Sequence, residues 1–196
     1  MPITILKASN YKIMPWKNGN GVTTEIAVYP PDASMDDFGW RISMASVTED
    51  GAFSQFTGID RVLTMLDGVG MTLTVEDLPK ITLSIKDQPF AFPADSPCMS
   101  TLKDGPITDF NVMTRRGHYK ASVYLRGRYQ GQNFTPDVRM IFAAHGALSG
   151  TLNGQGFDLE LRDTLLIDKS GDNTNEQNLT ITTQASWLDV HIISSL

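Results

Sequence analysis

Four short stretches of this sequence set charged and amide side chains into otherwise apolar surroundings. In Trp40-Arg41-Ile42-Ser43, Arg41 and Ser43 alternate with apolar neighbours, so they share one face of a strand. If that face points inward, Arg41 is a buried fixed cation and needs an anionic partner. A carboxylate ligand would satisfy it bidentately, and so would Glu25 or Asp109 from within the chain. If the face points outward, Arg41 belongs to a solvent salt bridge. In Asp109-Phe110-Asn111-Val112-Met113-Thr114-Arg115-Arg116, Asp109 and Asn111 lie on one face and Phe110 and Val112 on the other. The polar face meets either solvent or a polar cavity.

The third stretch, Pro15-Trp16-Lys17-Asn18-Gly19-Asn20-Gly21, is rich in turn residues. It offers a point charge and a flat apolar surface, which suits one wall of a small-molecule site; a plain turn with Trp16 capping a barrel reads equally well. In the fourth, Asp60-Arg61 precedes the apolar segment Val62–Leu66. Arg61 could anchor a ligand at a barrel mouth or pair with Asp60 or Asp67.

Two chemistries fit this set. Lys17, Arg41 and Arg115 supply positive charge, Asn18 and Asn111 oriented amides, and Trp16 an apolar wall, which suits a small carboxylate. Alternatively Glu25 or Asp109 acts as general base and Lys17 or Arg41 as electrostatic stabiliser, in a lyase, isomerase or hydrolase without a metal. A purely structural or partner-binding barrel is the third reading.

The elements that must position these residues are strands. TTEIAV (Thr23–Val28), WRISMASV (Trp40–Val47), MTLTV (Met71–Val75) and ITLSI (Ile81–Ile85) alternate apolar and polar side chains, and their Val, Ile and Thr favour strands further. Val123–Leu125, Val138–Ala143, Leu148–Leu152, Phe157–Leu161, Leu165–Ile167, Leu179–Thr182 and Trp187–Ile192 continue the pattern. Gly, Pro, Asp and Asn clusters separate them. Phe53–Gly58 reads as one short helical turn, and Ser170–Asn178 as a solvated loop. The segment starting at Val62 and the one starting at Arg139 repeat one rhythm, with Gly68 aligned to Gly146 and Asp87 to Asp163. Two copies of a strand, Gly turn, strand, hairpin rhythm predict an all-β chain with two cupin-type (jelly-roll) β-barrels and little helix. The division is expected at 1–116 and 117–196, with strands exchanged near the join; the polar, Gly-rich stretch Arg116–Gln132 supplies a linker or crossing strand.

Composition narrows the function classes. The chain is 196 residues, 41% hydrophobic and 19% charged, which is globular. A formal net charge of -6 and no basic stripe argue against nucleic acid. The lone Cys98 forms no internal disulfide and reads as a structural thiol in a reducing compartment. The opening residues lack an apolar signal core, and no apolar run approaches the roughly 18 residues of a membrane span, so the expected location is the cytoplasm. His118, His145 and His191 are scattered, without the H-x-H pair that two ligands on one strand face require. No metal and no cofactor is expected; a homodimer is left open.

The segments PWKNGNGVTTEIAVYP, FGWRISMASVTEDGAFSQFTGIDRVLTMLDGVGMTL and FPADSPCMSTLKDGPITDFNVMTRR resemble, in order and spacing, the signature blocks of the HutD/Ves family over roughly residues 14–116. The resemblance implies a metal-free bicupin. It also implies a role in binding or sensing a small carboxylate metabolite of histidine utilisation, or a role in stress or cold responses. The family-typical polar positions fall here on Trp16, Lys17, Asn18, Thr23, Glu25, Arg41, Ser43, Arg61, Asp109, Asn111 and Arg115. One departure is Asn20, which stands where the family has the middle of three glycines. Asn tolerates left-handed backbone geometry better than other non-glycine residues.

Overall fold

The structure is a computed structural model that describes residues 3–16, 19, 21–127, 129–134, 136–168 and 176–195. Among the described residues the only helical element is a 3-10 turn at Ala8–Asn10; the rest of the regular structure is strand. In chain order the strands are β1 (Ile3–Leu6), β2 (Lys12–Pro15), β3 (Gly21–Tyr29), β4 (Trp40–Val47), β5 (Gly51–Ala52), β6 (Ile59–Asp67), β7 (Met71–Val75), β8 (Ile81–Leu83), β9 (Phe90–Pro93), β10 (Cys98–Leu102) and β11 (Ile107–Arg115). They continue as β12 (Tyr119–Arg126), β13 (Tyr129–Phe134), β14 (Val138–Phe142), β15 (Leu148–Leu152), β16 (Gln155–Leu159), β17 (Thr164–Asp168), β18 (Glu176–Ile181) and β19 (Trp187–Ser194).

The chain divides into two compact units. The central unit is built on Lys12–Lys120; the flanking unit is built on Ala121–Ser194 with the N-terminal segment through Tyr11. The break therefore falls four residues beyond the expected 116/117. The strand that changes sides is the N-terminal one: β1 pairs antiparallel with β17, Ile3 opposite Ile167.

The central unit has a six-stranded sheet, β2-β3-β4-β11-β6-β9, and a four-stranded sheet, β5-β10-β7-β8. The flanking unit has a five-stranded sheet, β1-β17-β14-β19-β12, and a four-stranded sheet, β13-β18-β15-β16. The orders correspond: β4-β11-β6-β9 is repeated as β12-β19-β14-β17, and β5-β10-β7-β8 as β13-β18-β15-β16. The weak sequence repeat is thus a repeat of topology. Gly68 and Gly146 stand at the same place in it, each in the turn that leads from a strand of the larger sheet (β6, β14) to one of the smaller sheet (β7, β15). Gly68 has φ of +96°, and a Cβ there would lie 2.8 Å from the Pro106 carbonyl oxygen, so the turn admits no side chain.

Alternation fills the cores. Met71, Leu73 and Val75 of β7 point inward while Thr72 and Thr74 do not, and the inward set packs with Leu63, Met65 and Phe92 of the larger sheet. In the flanking unit Ile141, Leu148, Leu152, Leu165, Leu179 and Trp187 play the same part. Each such side chain contributes about 1.5–3 kcal/mol on burial.

Local expectations are refined at four places. Phe53–Gly58 makes no helical turn; it is irregular chain ending in a turn at Thr57 and Gly58. Of the two readings of Arg116–Gln132, linker or crossing strand, the strand holds for most of its described residues, namely β12 and the start of β13. Of the expected loop Ser170–Asn178, residues 170–175 lie outside the described residues, and Glu176–Asn178 begins β18. Strand β8 ends at Leu83, short of the expected Ile85, because the Ser84 N–H and hydroxyl both donate to Asp87 Oδ2 and turn the chain.

Candidate functional site

The larger sheet of the central unit carries two kinds of side chain on one face. Along β4 the face reads Arg41, Ser43, Ala45, Val47; along β11 it reads Ile107, Asp109, Asn111, Met113; along β6 it reads Arg61, Leu63, Met65. One end of the face is apolar and belongs to the core. The other end is polar, and register gathers it: Asn111 stands opposite Ser43, and Met113 stands between Arg41 on β4 and Arg61 on β6. This polar end lines a cavity of about 720 Å³, closed further by Trp16, Phe53 and Phe56.

Arg41 is buried at 4% exposure but already has a carboxylate. Its Nε donates to Glu25 Oε2 at 2.7 Å, and its Nη1 lies 3.5 Å from Ser43 Oγ. Arg61, at 5% exposure, has no ion pair with a described residue. Its Nη2 donates to the Ser54 carbonyl oxygen at 3.3 Å, its Nε finds no partner among the described residues, and its guanidinium lies 5.0, 5.7 and 5.7 Å from the ring centres of Phe53, Phe56 and Phe92. Ring faces attract a cation, each by about 0.5–2 kcal/mol. They do not replace a carboxylate: loss of hydration still draws the Arg61 pKa down to about 10, against the opposing pull of Asp109.

Asp109 is wholly buried. Its Oδ1 accepts from Asn111 Nδ2, while Asp109 Oδ2 and Asn111 Oδ1 have no partner among the described residues. Burial raises the Asp109 pKa to about 7; the Arg61 charge and the bonds from Asn111 and the Ala45 backbone restrain that rise. Near neutral pH this carboxyl is poised between its two protonation states.

The structure brings Trp16, Arg41, Ser43, Arg61, Asp109 and Asn111 to one cavity. Trp16 is fixed by its indole N–H donating to Thr23 Oγ1 at 2.8 Å and by packing on Gly21, where a Cβ would lie 2.7 Å from the ring. Lys17 and Asn18 lie outside the described residues, as does Asn20. Glu25 is engaged with Arg41 and does not line the cavity. Arg115 also stands apart: its Nε and Nη2 donate to the Phe38 and Asp36 carbonyl oxygens, so it staples a loop. Asp60 pairs with Arg116 and not with Arg61. Cys98 is buried, and desolvation raises its pKa.

Sequence reasoning missed the aromatic wall of Phe53, Phe56 and Phe92. It also missed a second buried guanidinium. Arg139 and Arg61 each precede their repeat glycine by seven residues, on β14 and β6. Arg61 stands opposite Met113, and Arg139 opposite His191. Two residues earlier on the partner strands come Asn111 and Asp189, which therefore hold equivalent places. Arg139 Nε and Nη2 donate to the two Asp189 oxygens at 2.8 and 2.9 Å, and Nη1 donates to Gln177 Oε1 at 2.9 Å. Arg126 Nε donates to Asp189 Oδ2 at 2.8 Å, and His191 Nε2 lies 2.9 Å from Oδ1. Burial alone would raise the Asp189 pKa; hydrogen bonds from His191 and Arg139 hold it well below the usual carboxylate range.

Among the described residues no group of three or more His, Cys, Asp or Glu is placed to hold a metal ion, and no helix is long and apolar enough to cross a membrane. The family model described as HutD matches residues 8–188. Protein Ves of Citrobacter koseri is 43% identical over 114 residues, 58% of this chain and 58% of that one. A conserved protein of unknown function from Pseudomonas aeruginosa PAO1 superposes with a TM-score of 0.89 at 34% identity, covering 99% of this chain and 100% of that one. HutD from Pseudomonas fluorescens SBW25, in a formate condition, superposes with a TM-score of 0.83 at 31% identity, covering 98% and 99%. The fold alone is also similar to a cupin 2 conserved barrel domain protein from Leptotrichia buccalis, with a TM-score of 0.54 at 11% identity over 93% and 96% of the two chains.

Proposed function

The chain belongs to the HutD family, and on that premise we propose that its central unit binds a small-molecule carboxylate, with Arg61 as the anchor. One observation carries this reading. Arg61 is buried with no ion pair to a carboxylate among the described residues, whereas the equivalent Arg139 holds both oxygens of Asp189. A buried guanidinium is costly unless an anion meets it. In the flanking unit the protein supplies that anion; in the central unit the cavity leaves room for one from outside. Arg41, the first candidate for this role from sequence, has Glu25 and serves as a positioned donor beside the site.

The same proposal takes each unit as a cupin-type barrel, two in one chain, supported by the repeated strand order. It takes the biological role as metabolite sensing in histidine utilisation or a stress response, in line with the family. A second reading has its own observation: Asp109 is wholly buried at the cavity wall, and that burial raises its pKa to about 7, the range that general acid–base catalysis calls for. In that reading Asp109 moves the proton and Arg61 stabilises negative charge.

Thermal unfolding with a panel of small carboxylates tests the first reading. A ligand at a hundredfold excess over its Kd should add about 2.7 kcal/mol of stability. Arg61→Met should lose that rise while remaining folded. An undiminished rise in Arg61→Met would remove Arg61 from the site.

A further inference from the structure

We propose that the ligand of this cavity carries, close to its carboxylate, a hydrogen-bond donor of its own, an O–H or N–H group, which the Asn111 side-chain oxygen accepts. This rests on the carboxylate reading above and narrows it. Three buried polar atoms of residues that line the cavity have no partner among the described residues: Arg61 Nε, Asn111 Oδ1 and Asp109 Oδ2. Each forfeits its hydration, at roughly 1–3 kcal/mol, unless something meets it. Arg61 Nε is a donor and suits a carboxylate oxygen. Asn111 Oδ1 is an acceptor, and a carboxylate oxygen set against it would be repelled.

The orientation of Asn111 is fixed by its neighbour. Its Nδ2 is committed to Asp109 Oδ1, which turns Oδ1 away from Asp109. A ligand offering only acceptors would leave this oxygen bare. A hydroxyl or N–H beside the ligand's carboxylate answers it, as the carboxylate answers Arg61. The wall of Trp16, Phe53 and Phe56 accommodates a flat apolar body beyond the polar head. In the flanking unit no such code exists, because both oxygens of Asp189 are taken within the protein.

A matched pair of probes tests this, 3-phenyllactate against 3-phenylpropanoate, which differ by the one hydroxyl. Titration calorimetry on the full chain should show the hydroxy acid binding about tenfold more tightly, the worth of one buried hydrogen bond. Asn111→Leu should bring the two affinities together. Equal affinities for the unmodified protein would overturn the donor inference and leave the carboxylate reading standing. A tenfold preference that persists in Asn111→Leu would also overturn it. Failure of both acids to bind at millimolar concentration would remove the carboxylate reading and this inference with it. Should Asn111→Leu not fold, the matched pair on the unmodified protein still decides.

Discussion

Arg61 and Arg139 occupy one strand position in two copies of one sheet, and they differ in what faces them. Arg139 meets Asp189, with Gln177 on its remaining nitrogen; Arg61 has Asn111 at the position equivalent to Asp189, and lies against three aromatic rings at the wall of a cavity. Residue type alone therefore does not mark a site, since both positions are buried arginines on alternating strands. The mark is whether the protein completes the hydrogen bonding. A network whose donors and acceptors are matched holds the fold; the same network with one carboxylate exchanged for an amide has a place for an outside anion.

The comparison can be broken by removing each guanidinium. Arg139→Met leaves Asp189 buried and stripped of its bidentate partner, and should destabilise the protein by about 3–5 kcal/mol in urea unfolding. Arg61→Met exchanges a poorly compensated cation for an apolar chain of similar length among phenylalanines, and should be near neutral or stabilising. Equal losses from the two variants would mean that Arg61 is as fully paired as Arg139.

Titration sharpens the contrast, with a somewhat smaller effect. The Asp109 pKa is raised from 3.8 to about 7. Between those values the folded chain keeps a proton that the unfolded chain has lost, so stability contributed by this group declines as pH rises from about 4 to 7. The shift corresponds to at most about 4 kcal/mol. Asp189 is held low, so its contribution runs the other way: it is present above the ordinary carboxylate range and lost as pH falls below it. Asp109→Asn should flatten the decline between pH 4 and 7 and leave the acid-side loss intact. An unchanged profile would place Asp109 in a far less buried setting.

Much of this was legible in the residues. Period-two alternation located most of β3, β4, β7, β15 and β19, because one buried face leaves that trace. The cluster of Arg41, Ser43, Asp109 and Asn111 was legible for the converse reason, polar residues on an expected core face. Arg61 was visible, but its surroundings were not: Phe53 and Phe56 come from the connection between β5 and β6 and Phe92 from β9, and only the fold assembles them. The pairing of Arg41 with Glu25 stood open between two acids that the sequence could not rank. Arg139 and Asp189 lay at a plain repeat offset, yet nothing in their own segments distinguishes a saturated ion pair from a site. Gln177 was hidden inside a stretch whose Asn, Asp and Gly content reads as loop.

Asn111→Asp imports the flanking unit's arrangement into the central one. The new carboxylate would stand where Asp189 stands and could take both Arg61 nitrogens. Carboxylate-induced stabilisation should then disappear, a loss of about 2.7 kcal/mol under hundredfold ligand excess. Thermal shifts with the same acids measure it, and a retained response would show that the ligand does not use Arg61.

The smallest effect tests the other half of the comparison, the claim that Asp189 is saturated. Arg126 is a further donor to Asp189 Oδ2, already bonded to Arg139 Nη2, and its side chain is 28% exposed. Its guanidinium also lies 4.8 and 5.2 Å from the ring centres of Tyr124 and Tyr129, contact that a methionine largely retains. Partial exposure screens its charge, and Arg139 with His191 leaves neither Asp189 oxygen bare when Arg126 is gone. Arg126→Met should therefore cost less than about 1 kcal/mol in urea unfolding. A loss approaching that of Arg139→Met would mean that Asp189 depends on every donor it has. The flanking network would then be no more saturated than the central one, and the difference between Asn111 and Asp189 would no longer distinguish the surroundings of the two arginines.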